Sequence, residues 1–282
     1  MEAQKIKIAI VLLNWNGKTW LEKFLPHLVR CSEQADIFIV DNASEDKSID
    51  YVRSSFPKIN LILNSKNHGY AKGYYDALSK IKADYFVLLN SDVEVTENWI
   101  NPIIRLMQED ITIAACQPKI LDYNNRNKFE YAGASGGFID YLGYPFCRGR
   151  IFDDIEEDKG QYDDLKEIFW ATGACIFIRS NAYHQVGGLD EDFFAHQEEI
   201  DLCWRLKNAG YKIMVEPSSI VYHVGGGTLA VGSPLKTKLN FRNNLYLLFK
   251  NLPFYVLLFL LPLRLFLDAI AAFSFITKKQ GL

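Results

Sequence analysis

Residues 88–95 read LLNSDVEV. An apolar run ends there in Asn90-Ser91-Asp92, leaving a carboxylate at the tip of what reads as a buried strand. Asn and Asp are good turn formers, because their side chains bond their own backbone two residues on. A turn alone would account for Asp92. What separates a turn from a site is the company Asp92 keeps elsewhere in the chain.

Working outward from this tip, apolar runs alternate with helical spacing through the first 120 residues. Residues 6–13 form a β-rich run ending at Asn14-Trp15-Asn16-Gly17, and residues 20–31 follow with helical spacing. Residues 35–40 predict a strand that stops at Asp41-Asn42, and residues 44–56 a helix that Ser44 can cap. A third strand at 59–63, a helix at 70–81 and a fourth strand at 85–89 follow. Strands alternating with helices in this way predict βαβ units, hence an α/β fold with a mostly parallel sheet. Ligands of such sheets bind beyond the carboxyl ends of the strands. The polar tips (Asn14 and Asn16, Asp41 and Asn42, Asn64 and Asn67, Asp92) all fall at that edge. Four tips on one edge make a pocket, which turn chemistry does not require.

Beyond this half the periodicity weakens. Residues 123–168 predict an irregular excursion with short strands, and residues 169–179 return to β character. A helix at 180–186 has Ser180 as its candidate cap. A stronger one at 200–208 ends at Gly210, in the C′ position. Two short strands, 212–215 and 219–223, close the region.

The bulk numbers narrow the class. The 282 residues are 49% hydrophobic and 23% charged, an ordinary globular composition. A net charge of −3 gives no reason to expect a nucleic-acid partner. Five cysteines without a C-x-x-C pair suit reduced thiols in a cytosolic compartment. The opening MEAQKIKIAIVLLNWNG lacks a signal-peptide pattern, so the chain is expected to begin on the cytosolic side.

The far end departs from this average. Residues 252–276 read LPFYVLLFLLPLRLFLDAIAAFSFI, with Arg264 and Asp268 as the charges. The length suits a membrane span. Pro253, Pro262 and the charged pair suit a bent interfacial helix as well, and a buried core helix is a third reading. Spaced four apart, Arg264 and Asp268 share a helix face and can neutralise each other. Lys236, Lys238, Arg242, Lys250, Lys278 and Lys279 flank the segment and favour an anionic cytoplasmic leaflet. The expected organisation is a folded domain at 1–235, with halves at about 1–120 and 121–235, and a membrane-associating hydrophobic helical tail at 236–282.

Four clusters could carry chemistry. Asp41, at a strand end, could accept hydrogen bonds from a nucleobase or ribose. In Asn67-His68-Gly69-Tyr70-Ala71-Lys72-Gly73 the two glycines permit close backbone approach, and a helix N-terminus favours a phosphate. The stretch FFAHQEEIDLCWR, 193–205, is the densest polar cluster. Glu198, Glu199 and Asp201 stand there at a helix start, where the dipole favours acids, yet three exceed what capping needs. A carboxylate against an apolar wall has a raised pKa and can act as general base toward a sugar hydroxyl. Finally, His223 ends a strand before Val224-Gly225-Gly226-Gly227-Thr228, from where it could join Asp92 on a divalent ion. Oxygen ligands plus one imidazole suit Mn2+ or Mg2+.

Taken in order, IVLLNWNG, IVDNASEDKS, NSKNHGYAKG, LLNSDVEV, ATGACIFIRSNAYHQVGGLDEDFFAHQEEIDLCWRLKNAGYKI and VYHVGGGT resemble glycosyltransferase family 2. These are inverting glycosyltransferases with a GT-A fold, and the likeness is closest to the rhamnosyltransferase-like branch. The stretches span about residues 7–228. The resemblance implies that Asp41 contacts the base and ribose of a nucleotide-sugar, with Asn14 and Asn16 lining that pocket. Asn67, Gly69, Gly73, Asn90 and Ser91 complete the candidate donor site. Asp92 matches the last acid of the family's DxD motif, which binds the metal bridging the donor diphosphate. His223 matches the late metal-ligand histidine. Glu199 stands where the family has its base, usually Asp, and Glu198 matches the Glu before it. The resemblance further implies that the domain at 1–235 is catalytic, its first half binding a nucleotide-sugar and its second facing the acceptor.

Two departures stand out. Asn90 replaces the first acid of DxD, so it can bond a ribose but adds no charge to the metal site. Glu199 is one methylene longer than the usual Asp, which leaves the base open between Glu198 and Glu199. The implied reaction moves a sugar to a glycan or polyprenyl-diphosphate-linked acceptor in surface polysaccharide synthesis. It would occur at the cytoplasmic face of the inner or plasma membrane. Two rivals remain: an inactive sugar-nucleotide-binding relative, because of Asn90, and a nucleotidyltransferase. The latter would want a basic loop near the N-terminus, where LNWNGKTW offers only Lys18.

Overall fold

The structure, a computed structural model, describes residues 6–151, 154–225 and 234–277. The expected loop 226–228 and the basic residues 278–279 lie outside the described residues. The first half runs β1 (Ile8–Asn14), α1 (Lys18–Arg30), β2 (Asp36–Asp41), α2 (Ser48–Ser55), β3 (Asn60–Leu63), α3 (Gly69–Leu78) and β4 (Tyr85–Leu89). The four strands are parallel in the order β3-β2-β1-β4. The register aligns Asn14 with Asp41 and Asp41 with Leu63, so the polar tips leave at one edge. Alternate β1 residues feed two cores. Ala9 and Val11 pack with Tyr74 and Leu78 of α3, while Ile8, Ile10 and Leu12 pack with Leu21 and Leu25 of α1. Covered on both faces, β1 and β4 read as continuous apolar runs. Burying each large apolar side chain stabilises the sheet by about 1.5–3 kcal/mol.

The second half supplies β5 (Val93–Val95), α4 (Asn101–Glu109), β6 (Ile113–Asp122), β7 (Gly137–Ile139), β8 (Pro145–Cys147), β9 (Arg150–Ile151) and β10 (Asp154–Ile155). It continues with β11 (Lys166–Ile168), β12 (Cys175–Arg179), α5 (Ser180–Gln185), α6 (Glu198–Asn208) and β13 (Lys212–His223). The main sheet reads β11-β13-β6-β12-β4-β1-β2-β3, with β5 beside β13. Strand β12 enters antiparallel between β4 and β6, and β6 and β13 are again parallel. The irregular excursion folds as a small antiparallel sheet, β7 to β10. This is the α/β fold that the alternation predicts.

Three local expectations are corrected. The strands expected at 212–215 and 219–223 are one strand, with a register shift between Glu216 and Ile220. Ser44 does not cap α2, which begins four residues later; its hydroxyl is held by Asp41. Ser180 does not cap α5 either, because its hydroxyl donates to the Ala83 carbonyl at 2.6 Å.

Helix α7 (Pro234–Asn251) is built into the body, with Leu239, Asn243, Asn244, Leu247 and Leu248 buried. Helix α8 (Phe254–Thr277) follows the break at Pro253. Over Phe254–Phe273 its hydropathy is 2.2 and only 11% of the segment is buried, which overturns the core-helix reading. Its charges face the protein. Arg264, 1% exposed, donates to the Leu142 carbonyl and to Asn244 Oδ1, both at 2.5 Å, and its guanidinium lies 3.7 Å from the Tyr144 ring centre.

Candidate active site

At the joint tip of β1 and β2, Asn14 and Asp41 are 0% and 4% exposed. Asn14 Nδ2 donates to Asp41 Oδ1 at 2.9 Å, and Asp41 also receives the Ser44 N–H (2.9 Å) and hydroxyl (2.6 Å). Asn16 adopts φ 51°, a left-handed conformation Asn tolerates, and its Oδ1 accepts the Glu45 N–H at 2.8 Å. Among the described residues Asn14 Oδ1 is buried with no hydrogen-bond partner. A Cβ on Gly17 would come within 2.4 Å of it, so only glycine leaves this corner open.

In the stretch 67–73, where Asn67, Gly69 and Gly73 are the expected phosphate cradle, the backbone makes packing contacts. The first N–H groups of α3, from Tyr70 and Ala71, donate to the Phe194 carbonyl at 2.7 and 3.2 Å, so the helix N-terminus is already occupied. Gly69, at φ 77°, leaves room for the Phe194 ring, and Gly73 for Leu13 and Asn42. Asn67 Oδ1 accepts the Gly69 N–H at 2.9 Å.

Asp92 and His223 do come together. Both are buried, and His223 Nε2 lies 3.2 Å from Asp92 Oδ1. The register of β5 on β13 does this, aligning Val93 with His223. On the other side of the ring, Glu130 Oε1 lies 3.3 Å from Nδ1. Burial opposes a charge on His223, but the two flanking carboxylates outweigh it and raise the imidazole to about 10.

The acids open α6. Glu198 is 4% exposed, while Glu199 keeps part of its surface accessible. Burial pushes Glu199 up to about 7, against the N–H groups of its own residue, Gly173, Gln197 and Ile200. Burial and then the charge of Glu199 push Glu198 well up. The two carboxylates therefore feel each other, and both act on Tyr70, despite the 100° expected between successive helical residues. Asp201 leaves the chemistry: fully buried, it pairs with Arg205 at 2.7 Å and Lys250 at 3.1 Å. Burial holds His196 down at about 4, hence neutral.

Residues 173–174 bridge the Asn90-Ser91-Asp92 tip to the acids. The Asn90 N–H donates to the Ala174 carbonyl at 3.0 Å, and Tyr70 donates its hydroxyl to the Gly173 carbonyl at 2.7 Å. A Cβ on Gly173 would stand 3.8 Å from the Glu199 carboxyl carbon.

The family profile described as Glycosyl transferase family 2 matches residues 9–187, more than half of the chain. This chain belongs to glycosyl transferase family 2. The N-acetylglucosaminyl-diphospho-decaprenol L-rhamnosyltransferase of Mycobacterium tuberculosis (strain ATCC 25618 / H37Rv) is 24% identical over 235 residues, covering 77% of this chain and 75% of that protein. The low-salt glycan biosynthesis hexosyltransferase Agl10 of Haloferax volcanii is 23% identical over 210 residues, covering 73% of this chain and 63% of that one. The crystal structure of GalNAc-T7 with UDP, GalNAc and Mn2+ superposes with a TM-score of 0.64 at 16% identity. It matches 88% of this chain, which spans about half (48%) of that longer chain. The shared architecture is the GT-A fold.

Once the proton shared between them has left, Asp92 and His223 would offer a divalent cation two protein ligands, a carboxylate oxygen and an imidazole nitrogen. Among the described residues no group of three or more His, Cys, Asp or Glu is arranged to hold a metal. Further ligands would have to come from a bound diphosphate and water, as is usual for Mg2+-type sites. The sequence reading missed Glu130, which backs His223 in the way a carboxylate orients a ligating histidine. Glu130 lies in the aperiodic segment, and what places it is the bridge of Phe129 to Leu121 on β6, beside β13.

Proposed function

We propose that this chain is an inverting glycosyltransferase that moves a sugar from a nucleoside-diphosphate sugar to a hydroxyl of a lipid-linked glycan. The observation that carries the reading is the bridge at 173–174, which joins the Asp92 tip to the acid pair. Asp41, Asn14 and Asn16 bind the nucleoside, and Asn90 and Ser91 face the ribose and diphosphate. Asp92 and His223 would hold Mn2+ or Mg2+, which when bound supplies positive charge beside the leaving diphosphate. Glu199, the more accessible of the pair, takes the acceptor proton as the hydroxyl attacks the anomeric carbon from the face opposite the diphosphate. Residues 1–120 form the donor half of this domain and residues 121–235 the acceptor half. A rhamnosyl donor is the first to try, in view of the mycobacterial relative.

The same reading gives α8 an orientation at the cytoplasmic membrane surface. Arg264 stands near the middle of α8 and is tied to the Leu142 carbonyl of the catalytic body. A spanning helix would drag that body into the bilayer centre. Helix α8 therefore lies in the interface plane, with exposed Tyr255, Phe259, Phe266 and Ile270 toward lipid. In vesicle flotation the full chain is expected to float with anionic vesicles. A Phe259→Glu/Phe266→Glu double variant should stay in the aqueous phase while still cleaving donor. A full chain that remains a soluble monomer without detergent and does not float contradicts this placement.

A screen of UDP-, GDP- and dTDP-sugars for Mn2+-dependent stabilisation and hydrolysis tests the function. Binding without hydrolysis or transfer would indicate an inactive sugar-nucleotide binder. Nucleotide exchange with a sugar phosphate would indicate a nucleotidyltransferase.

A further inference from the structure

The loop that delivers the acids is built unusually. Phe194 (φ 62°), His196 (φ 70°) and Gln197 (φ 70°) are non-glycine residues in the left-handed region within four positions. Each such residue is disfavoured by its own Cβ. Helix α6 then starts from Gln197 with no side-chain cap of its own. The N–H groups of Gln197, Glu199 and Ile200 hold the Glu199 carboxyl, so its aim follows the backbone of this first turn.

Helix α7 holds the loop that leads into it. Asn243 is fully buried among Leu239, Leu247 and the neighbouring Asn244. Its Nδ2 faces three loop carbonyls: Phe193 at 3.0 Å, Ala195 at 2.8 Å and His196 at 2.7 Å. Two N–H bonds are shared over three acceptors, so the amide nitrogen serves the loop. Arg242 Nε donates to Asn243 Oδ1 at 2.9 Å, which fixes the amide the right way round, and Arg242 Nη2 takes the Asp192 carbonyl at 3.1 Å. From the opposite side α3 holds the Phe194 carbonyl. The left-handed residues turn their carbonyls out of any ladder, and a buried carbonyl must find a donor. Asn243 is that donor for His196, and it holds the neighbouring Phe193 and Ala195 carbonyls as well.

We propose that Asn243 is the positioning residue of the reaction: through the 193–197 loop it aims the first turn of α6 so that Glu199 meets the acceptor hydroxyl. This assignment rests on Glu199 being the base. It adds a group from α7, outside the matched family segment, that touches neither donor nor acceptor.

The test uses the full chain and whichever of the UDP-, GDP- or dTDP-sugars turns over fastest with Mn2+. Asn243→Ala should lower kcat on the order of 10–100-fold, the cost of a misplaced reacting group, with donor KM within about twofold because Asn14, Asp41 and Asp92 are untouched. Loosening the loop admits water to Glu199, so the acid limb of the pH profile should move to lower pH. In a Glu199→Gln background Asn243→Ala should add almost nothing, since the group it aims is gone. Additive losses, or an unmoved pH profile, overturn the proposal in favour of a purely structural role. A silent Glu199→Gln overturns the base assignment, and this proposal with it. A crippled Glu199→Gln beside an Asn243→Ala with normal kcat overturns the proposal alone. Should Asn243→Ala fail to fold, the part-exposed Arg242 offers a milder route. Arg242→Ala frees the same amide, and unchanged kcat and pH profile there count against the proposal equally.

Discussion

Glu199→Gln is expected to lower kcat by about 10²–10⁴, the usual worth of a general base, while donor affinity stays nearly intact. The amide keeps the shape and accepts a hydrogen bond, yet it cannot take a proton. Glu198→Gln should cost less, because Glu198 is buried and Glu199 keeps an accessible edge. The reverse order would transfer the role to Glu198, and mild effects from both would remove the pair from the chemistry. The pH dependence has a definite sign. With Glu199 raised to about 7, turnover should fall as pH drops through 7, since the protonated carboxyl is no base. Stability runs the other way. A carboxyl raised from its ordinary 4.5 favours the fold most when protonated, and that contribution fades as pH rises toward 7. Glu199→Gln should therefore raise Tm at pH 8 while it removes activity.

Asp92→Asn is expected to abolish Mn2+-dependent binding of donor. Losing an outer partner of a metal ligand typically costs about 10–100-fold in affinity, and losing the ligand's own charge should cost more. His223 cannot compensate. Without the Asp92 charge the pair keeps no anionic ligand, and Asn90 adds none. Titration calorimetry with UDP or GDP, with and without Mn2+, reads this directly. Metal-dependent affinity and turnover that survive in Asp92→Asn would remove Asp92 from the metal site.

Much of this architecture was legible because strand ends carry two signals at once. The runs ending at Asn14, Asp41 and Asp92 predicted both the parallel sheet and the edge where its tips converge. That reading held because fully buried strands leave an apolar run and a polar stop. The caps were misjudged for a related reason. A serine after a strand can serve the next helix or the strand tip, and Ser44 serves Asp41. The glycines at 69 and 73 permit close approach, but periodicity cannot say of what; at Gly69 it is the Phe194 ring. Glu130 and Asn243 were invisible for a deeper reason. Each acts on a partner more than 40 residues away, through a register or a helix packing that local pattern does not encode.

The most direct measurement is nucleoside diphosphate release by the purified full chain, from a panel of nucleotide-sugars with a polyprenyl-diphosphate-linked sugar, with and without Mn2+. One donor should yield a glycosylated lipid with inverted anomeric configuration, only with divalent cation, and the yield should collapse in Glu199→Gln. Transfer that proceeds equally in chelator, or a product of retained configuration, would contradict the account.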